Sequence, residues 1–169
     1  QEKGLITYTV DMFNDFSLDD VNFDFIWPED YSKTYNVDNS NDISVGLLVK
    51  YKSYKLLTLG DLPSQFEDLS IKNLNIEDKD IDFLKVGHHG SKNSSDLQFL
   101  KETMPEYAFI SVGANNSYGH PNQIVLDNLS QIHSKIFRTD TMGTIIININ
   151  NENASIKTQN DSNVITFTK

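Results

Sequence analysis

Three short apolar runs, each stopping in a polar loop, set what this chain can fold into. They are Tyr54 to Leu59, which runs into Gly60-Asp61; Ile81 to Val86, which runs into His88-His89; and Tyr107 to Val112, which runs into Asn115, Asn116 and His120. Each has strand length and is apolar enough to be buried. The stretches between them have helical spacing. Phe66, Leu69, Ile71 and Leu74 recur at close to a helical period over 63–74, with Ser64 as N-cap and Glu67 three residues on. Ser94 or Ser95 caps a second helix through Thr103, with Leu97, Phe99 and Leu100 inward and Pro105 closing it. Ile124, Leu126, Leu129 and Ile132 mark a third helix over 123–134. Strands mixed with about three helices predict α/β layers around a mixed sheet.

The flanks add β structure. Val21, Phe23, Phe25 and Trp27 alternate along a half-buried strand that Pro28 ends. Runs at 43–50 and 54–59 are joined by Tyr51-Lys52-Ser53, which predicts a hairpin. Residues 4–10 read as a first strand, 11–20 as an acidic turn region and 29–42 as an exposed loop. Further strands are expected at 135–138, 144–150, 155–158 and 164–167. With no repeat and no internal linker, 169 residues make one domain.

Charge and cysteine content narrow the chemistry. Against 24 acidic residues stand 14 basic ones, a net charge of −10. That leaves no basic footprint for broad adhesion to a phosphate backbone. It leaves room for metal-dependent phosphodiester chemistry, where ions bring the positive charge. Without cysteine there is no thiolate zinc site, disulfide or cysteine nucleophile. No run approaches the roughly 18 apolar residues of a membrane span. Gln1-Glu2-Lys3 leads straight into strand-like sequence, as expected of a piece cut from something longer.

In layered α/β folds the loops at one sheet edge converge to make sites. Asp61 with the imidazoles of His88 and His89 suits zinc, manganese or iron, and a carboxylate can bridge two ions. Simpler roles exist for each. Gly-Asp after a strand is an ordinary turn. His120, between Gly119 and Pro121, can cap the next helix. His133 suits a helix end. Arg138-Thr139-Asp140 makes a surface turn or ion pair, and Trp27 and the Phe and Tyr residues are core.

Several ordered blocks carry a family resemblance: L-L-T-L-G-D (56–61), Glu67, L-K-V-G-H-H-G-S-K-N-S-S (84–95), S-V-G-A-N-N-S-Y-G-H-P (111–121) and R-T-D-T-M-G-T-I (138–145). Over roughly Val21 to Lys157 the chain resembles the metallo-β-lactamase-fold domain of ComEC-type competence DNA-uptake proteins. It is also similar to related phosphodiesterases of that superfamily, phosphorylcholine esterases among them. F-I-W-P (25–28) followed by N-D-I-S-V (41–45) fits the same pattern.

The resemblance implies an αββα sandwich of two similar halves, with two divalent ions (zinc or manganese) and phosphodiester hydrolysis. Asp61 matches the carboxylate that bridges the ions, and the histidine before Gly90, His89, the last ligand of the second ion. His88 stands beside it as an outer contact or a contact to substrate; which of the pair is the ligand stays open. Ser91, Asn116 and His120 are placed to donate to phosphate oxygens, or His120 to protonate the leaving oxygen. Asp61 and His120 are thus the catalytic candidates, and Ser91, Asn116 and His88 the substrate-binding ones.

One departure from the family is large. Its first half carries H-x-H-x-D-H, whereas the histidines here are only 88, 89, 120 and 133. The chain therefore matches the C-terminal half, across 1–169. With two side chains for two ions, and three or four ligands needed for each, it is expected to bind metal weakly and to be inactive alone. Its sheet is also expected to expose an apolar face. A missing N-terminal half, another chain or a second copy as a homodimer would answer both. The implied substrate is a phosphodiester, with single-stranded DNA among the candidates. The implied place is the extracytoplasmic face of a membrane protein, this stretch itself being soluble. The alternative is a non-catalytic half-domain that serves binding or assembly.

Overall fold

In the central strands one set of alternate side chains enters one core and the other set enters a second. The computed structural model describes residues 9–30, 32, 39–150 and 152–169. Strands β1 (Phe16–Leu18), β2 (Val21–Trp27), β3 (Gly46–Tyr51), β4 (Tyr54–Thr58), β5 (Phe83–Lys85), β6 (Tyr107–Ile110) and β7 (Lys135–Arg138) form one seven-stranded sheet in sequence order. Pairing is antiparallel from β1 to β4 and parallel from β4 to β7. Helices α1 (Ser64–Ser70), α2 (Leu97–Thr103) and α3 (Gln123–Gln131) make the parallel crossovers. A four-residue turn of helix, α4 (Thr139–Met142), follows β7. Strands β8 (Ile145–Ile149), β9 (Ala154–Thr158) and β10 (Val164–Phe167) form a separate antiparallel sheet. The fold is α/β with a mixed sheet, as the sequence predicts.

The two-residue period sorts the cores. Leu57, Leu84 and Ala108 face the helices, where they meet Phe99, Leu100 and Leu129. Tyr54, Phe83, Tyr107 and Phe137 face the second sheet and meet Ala154 and Ile156. Phe167 stacks on Tyr107 with ring centroids 4.6 Å apart. This corrects the expectation of a bare apolar face: β8–β10 cover it over β4–β7. The cover ends toward β1, where Phe16 stacks on Phe23 at 4.6 Å and Phe16 and Leu18 are 49% and 64% exposed.

Several elements fall where the sequence puts them, among them β2, β7, β10 and the hairpin, with Tyr51 opposite Tyr54. Strand β1 lies inside the stretch read as a turn region. The strand read at 4–10 lies mostly outside the described residues, and residues 9 and 10 are not strand. Part of the loop read at 29–42 lies outside them too.

Helix starts differ more. Pro63, with no capping side chain, precedes α1. Asp96 caps α2, its carboxylate accepting from Phe99 N at 3.0 Å. Asn122, not His120, caps α3. Ser94 and Ser95 are not free to cap, because their hydroxyls bind Gly87: Ser94 donates to its carbonyl and Ser95 accepts from its N–H. Helix α3 buries Val125 with Leu129 and leaves Ile124 outside. His133 is exposed just past α3, and Arg138 and Asp140 form the ion pair expected of that turn, at 2.7 Å. Among the described residues no helix is long and apolar enough to cross a membrane.

Phe83 is fully buried and its ring meets those of Tyr54, Tyr107, Phe109 and Phe167. Phe83→Ala is expected to cost about 3–5 kcal/mol in urea unfolding, through lost transfer energy and the cavity left behind.

Candidate functional site

Parallel pairing of β4, β5 and β6 brings the loops that follow them to one edge of the sheet, where such folds place their sites. Three contacts tie these loops together. His88 N donates to Gly60 O at 3.0 Å, Asn122 N donates to Gly90 O at 2.8 Å, and His89 Nδ1 lies 2.6 Å from Ser111 O. Gly90 permits the closest approach: it has φ +81°, and a Cβ there would stand 2.6 Å from Pro121 Cβ.

The convergence places His89 Nε2 3.8 Å from Asp61 Oδ1. A carbonyl can only accept, so the Ser111 contact puts a proton on Nδ1. Nε2 then faces Asp61, and a ring whose other nitrogen is fixed by a backbone carbonyl is the orientation common to metal-binding histidines. His88 points elsewhere: its ring meets that of His120, with centroids 5.9 Å apart. Both His88 and His89 are left-handed, with φ 44° and 56°. For side-chain-bearing residues this costs on the order of 1 kcal/mol each and persists only where the surroundings fix it.

Glu67 supplies much of that fixing. It is fully buried. One carboxyl oxygen accepts from Ser95 N at 2.6 Å; the other has no hydrogen-bond partner and lies 2.8 Å from where a Cβ on Gly87 would be. Burial, opposed by its bond to Ser95 N and reinforced by Asp96 and Asp68, pushes this acid up to about 8. The sequence reading made Glu67 a partner in capping; it is instead a neutral acid beneath the histidine loop. The signal was present. Glu67, Ser70, Ile71 and Leu74 form an inward stripe at helical spacing, and all four are buried.

Burial, followed by repulsion from His88 and His89, holds His120 below the ordinary histidine range. Its Nδ1 is buried without a hydrogen-bond partner. Two residues expected to reach substrate are engaged within the protein. Asn116 uses both ends of its amide inside its own loop, donating to Gly113 O and His120 O and accepting from Tyr118 N and His120 N. Ser91 is 4% exposed and its hydroxyl accepts from Asn93 N. Thr139, by sequence only part of a surface turn, ties that turn to the third loop: its hydroxyl accepts from Val112 N and donates to Val112 O, both at 2.8 Å.

A cleft of about 450 Å³ opens beside this centre, with His89, Asn116, Tyr118, His120 and Thr139 among its walls. Asp61 and His89 are donors of the right chemistry for zinc or manganese. Among the described residues no group of three or more His, Cys, Asp or Glu side chains is close enough to hold a metal ion. Two donors are too few to close a metal site, and an ion held here would need further ligands from elsewhere.

No family model matches the chain. It is 33% identical over 147 residues to ComE operon protein 3 of Bacillus subtilis (strain 168), a match that covers 86% of this chain and 18% of that protein. It is 35% identical over 129 residues to Competence protein ComA of Neisseria gonorrhoeae, covering 75% and 18%. Recombination protein 2 of Haemophilus influenzae is 32% identical over 111 residues, covering 66% and 13%. The chain spans less than a fifth of the length of the curated relatives it matches. A link to ComEC-type competence proteins thus stands on sequence similarity as well as on the motifs.

Glu67 carries a pH test. Between about 4.5 and 8 the unfolded chain gives up this proton and the folded chain keeps it. Its contribution to stability therefore falls as pH rises, by at most about 1.4 kcal/mol per unit, and levels off above the folded value. Urea unfolding at about pH 5.5 and 7.5 should show that slope in the native chain and not in Glu67→Gln. Equal slopes would mean that the buried acid does not stay protonated.

Proposed function

We propose that the chain is the C-terminal part of a metal-dependent phosphodiesterase or nuclease that acts in competence, in the manner of one half of a metallo-β-lactamase sandwich. The observation that carries this reading is the Asp61–His89 pair, 3.8 Å apart, with the histidine held by the Ser111 carbonyl. Asp61 and His89 would hold the ions; His88, against His120, takes the outer position. When bound, the ions would supply Lewis-acid polarisation of a phosphoryl oxygen. The remaining ligands would come from a preceding half that carries H-x-H-x-D-H. On this reading the complete protein is membrane-associated and presents the domain on the extracytoplasmic face.

The protein's own groups position and exclude. Asn116 shapes the third loop rather than touching substrate, and Ser91 braces the histidine loop from inside. His120, held neutral, presents an imidazole that can donate one hydrogen bond to a phosphate oxygen. A neutral ring is poorly suited to giving a proton to a leaving group, so orientation is its role here.

A second reading, a binding or assembly module with a relic of a site, is favoured by the count of two donors brought together. One experiment separates the two. In the full-length protein with manganese or zinc, Asp61→Asn should lower hydrolysis of single-stranded DNA by more than about 100-fold. Loss of a mere hydrogen-bonding partner of a metal ligand already costs 10–100-fold. Undiminished cleavage would remove Asp61 from the site, and no cleavage by the native protein would favour the module.

A further inference from the structure

Tyr118 is 82% exposed at the rim of the cleft. A scattered exposed aromatic residue needs no explanation, but this ring is held in place. It stacks on His120, with centroids 5.9 Å apart and planes 20° from parallel. Its backbone N–H is bound by Asn116, the same side chain that binds both the N–H and the carbonyl of His120. One face of the ring is thus backed by an imidazole while most of the side chain stays in water. No hydrogen bond engages its hydroxyl among the described residues. Space lies alongside, since a Cβ at Gly113 or Gly119 would meet nothing within 4 Å.

Tyr118 and His89 line the same cleft. A phosphodiester seated at Asp61 and His89 would therefore send the group next to its phosphorus along this wall. We propose that Tyr118, backed by His120, is a stacking platform for the nucleobase beside the scissile phosphate, and that it makes single-stranded nucleic acid the preferred substrate class. The inference rests on the phosphodiesterase reading and deepens it. With a net charge of −10 the chain has little to offer a phosphate backbone. Stacking on an aromatic ring gives affinity without positive charge, tolerates any base, and needs a base that is not already paired.

The test uses the full-length protein, a chelator to prevent cleavage, and two probes of equal length: oligothymidylate and a base-free deoxyribose phosphate strand. Tyr118→Ala should weaken oligothymidylate binding by about 5- to 100-fold, the worth of one stacked base, and leave the base-free strand unchanged. Tyr118→Phe and Tyr118→Trp should bind as the native protein does. An oligothymidylate carrying one 5-iodouracil should photo-crosslink to Tyr118, as mapped by mass spectrometry. Equal losses on both probes, or adducts only elsewhere, overturn the platform. Manganese-dependent cleavage of the base-free strand is scored separately. Cleavage without the Tyr118 adduct sinks the platform and spares the hydrolase reading, whereas the adduct without any cleavage does the reverse.

Discussion

The geometry of the site depends on a carboxyl group that water does not reach. Glu67 enters from α1, binds Ser95 N, and stands directly under Gly87, where no larger residue would fit. Ser94 and Ser95 grip both backbone groups of Gly87. This floor fixes where the histidine loop begins, and two left-handed residues follow at once. A buried carboxylate without a cation is expensive, which is why this one stays protonated to about 8. An apolar residue of the same size would avoid that cost but give Ser95 N no acceptor. The acid thus relates to the placement of the loop more than to stability.

Convergence of the loops then follows from close backbone approach. Parallel register sets Asp61, the histidine pair and the third loop at one sheet edge. Gly90 lets Pro121 come within a distance that no other residue would allow. The Ser111 carbonyl turns the His89 ring so that Nε2 faces Asp61. Backbone groups of the protein itself thus hold the pair in place.

The sequence made the strands and the three loops that follow them legible because both follow from pattern, whereas the match of Asp61 and His89 came from the family resemblance and left His88 open. Period two marks β2, and glycine next to acid or histidine after an apolar run marks the loops. It hid what depends on who binds whom. Ser94, Ser95 and Ser91 look like caps or substrate donors by type, yet their hydroxyls serve the histidine loop. Asn116 looks like a donor to phosphate, and both ends of its amide are bound within its own loop. On α3 a shift of one residue moves the buried face by about 100° and puts Val125 inside in place of Ile124. The cover over the sheet was missed because strands β8–β10 were expected only as closing strands, with no indication that they would form a sheet of their own.

The charge state of the cleft gives the last constraint. Burial pushes Glu67 up and His120 down, and the Ser111 carbonyl orients the His89 ring. Arg138 is spent on Asp140 through two hydrogen bonds, and Lys85, with its side chain largely buried, is itself held below the ordinary lysine range by burial. Arg138 is thus engaged within the protein, and burial works against charge at His120 and Lys85. On the proposed reading, a phosphodiester approaching an acidic chain would need attraction from two other sources: cations at the Asp61–His89 pair, and contact with a part of the substrate that carries no charge. The first would give a carboxylate and an imidazole at one sheet edge their use. The second would call for an exposed aromatic surface fixed beside them, and Tyr118 on His120 is the surface that the third loop offers.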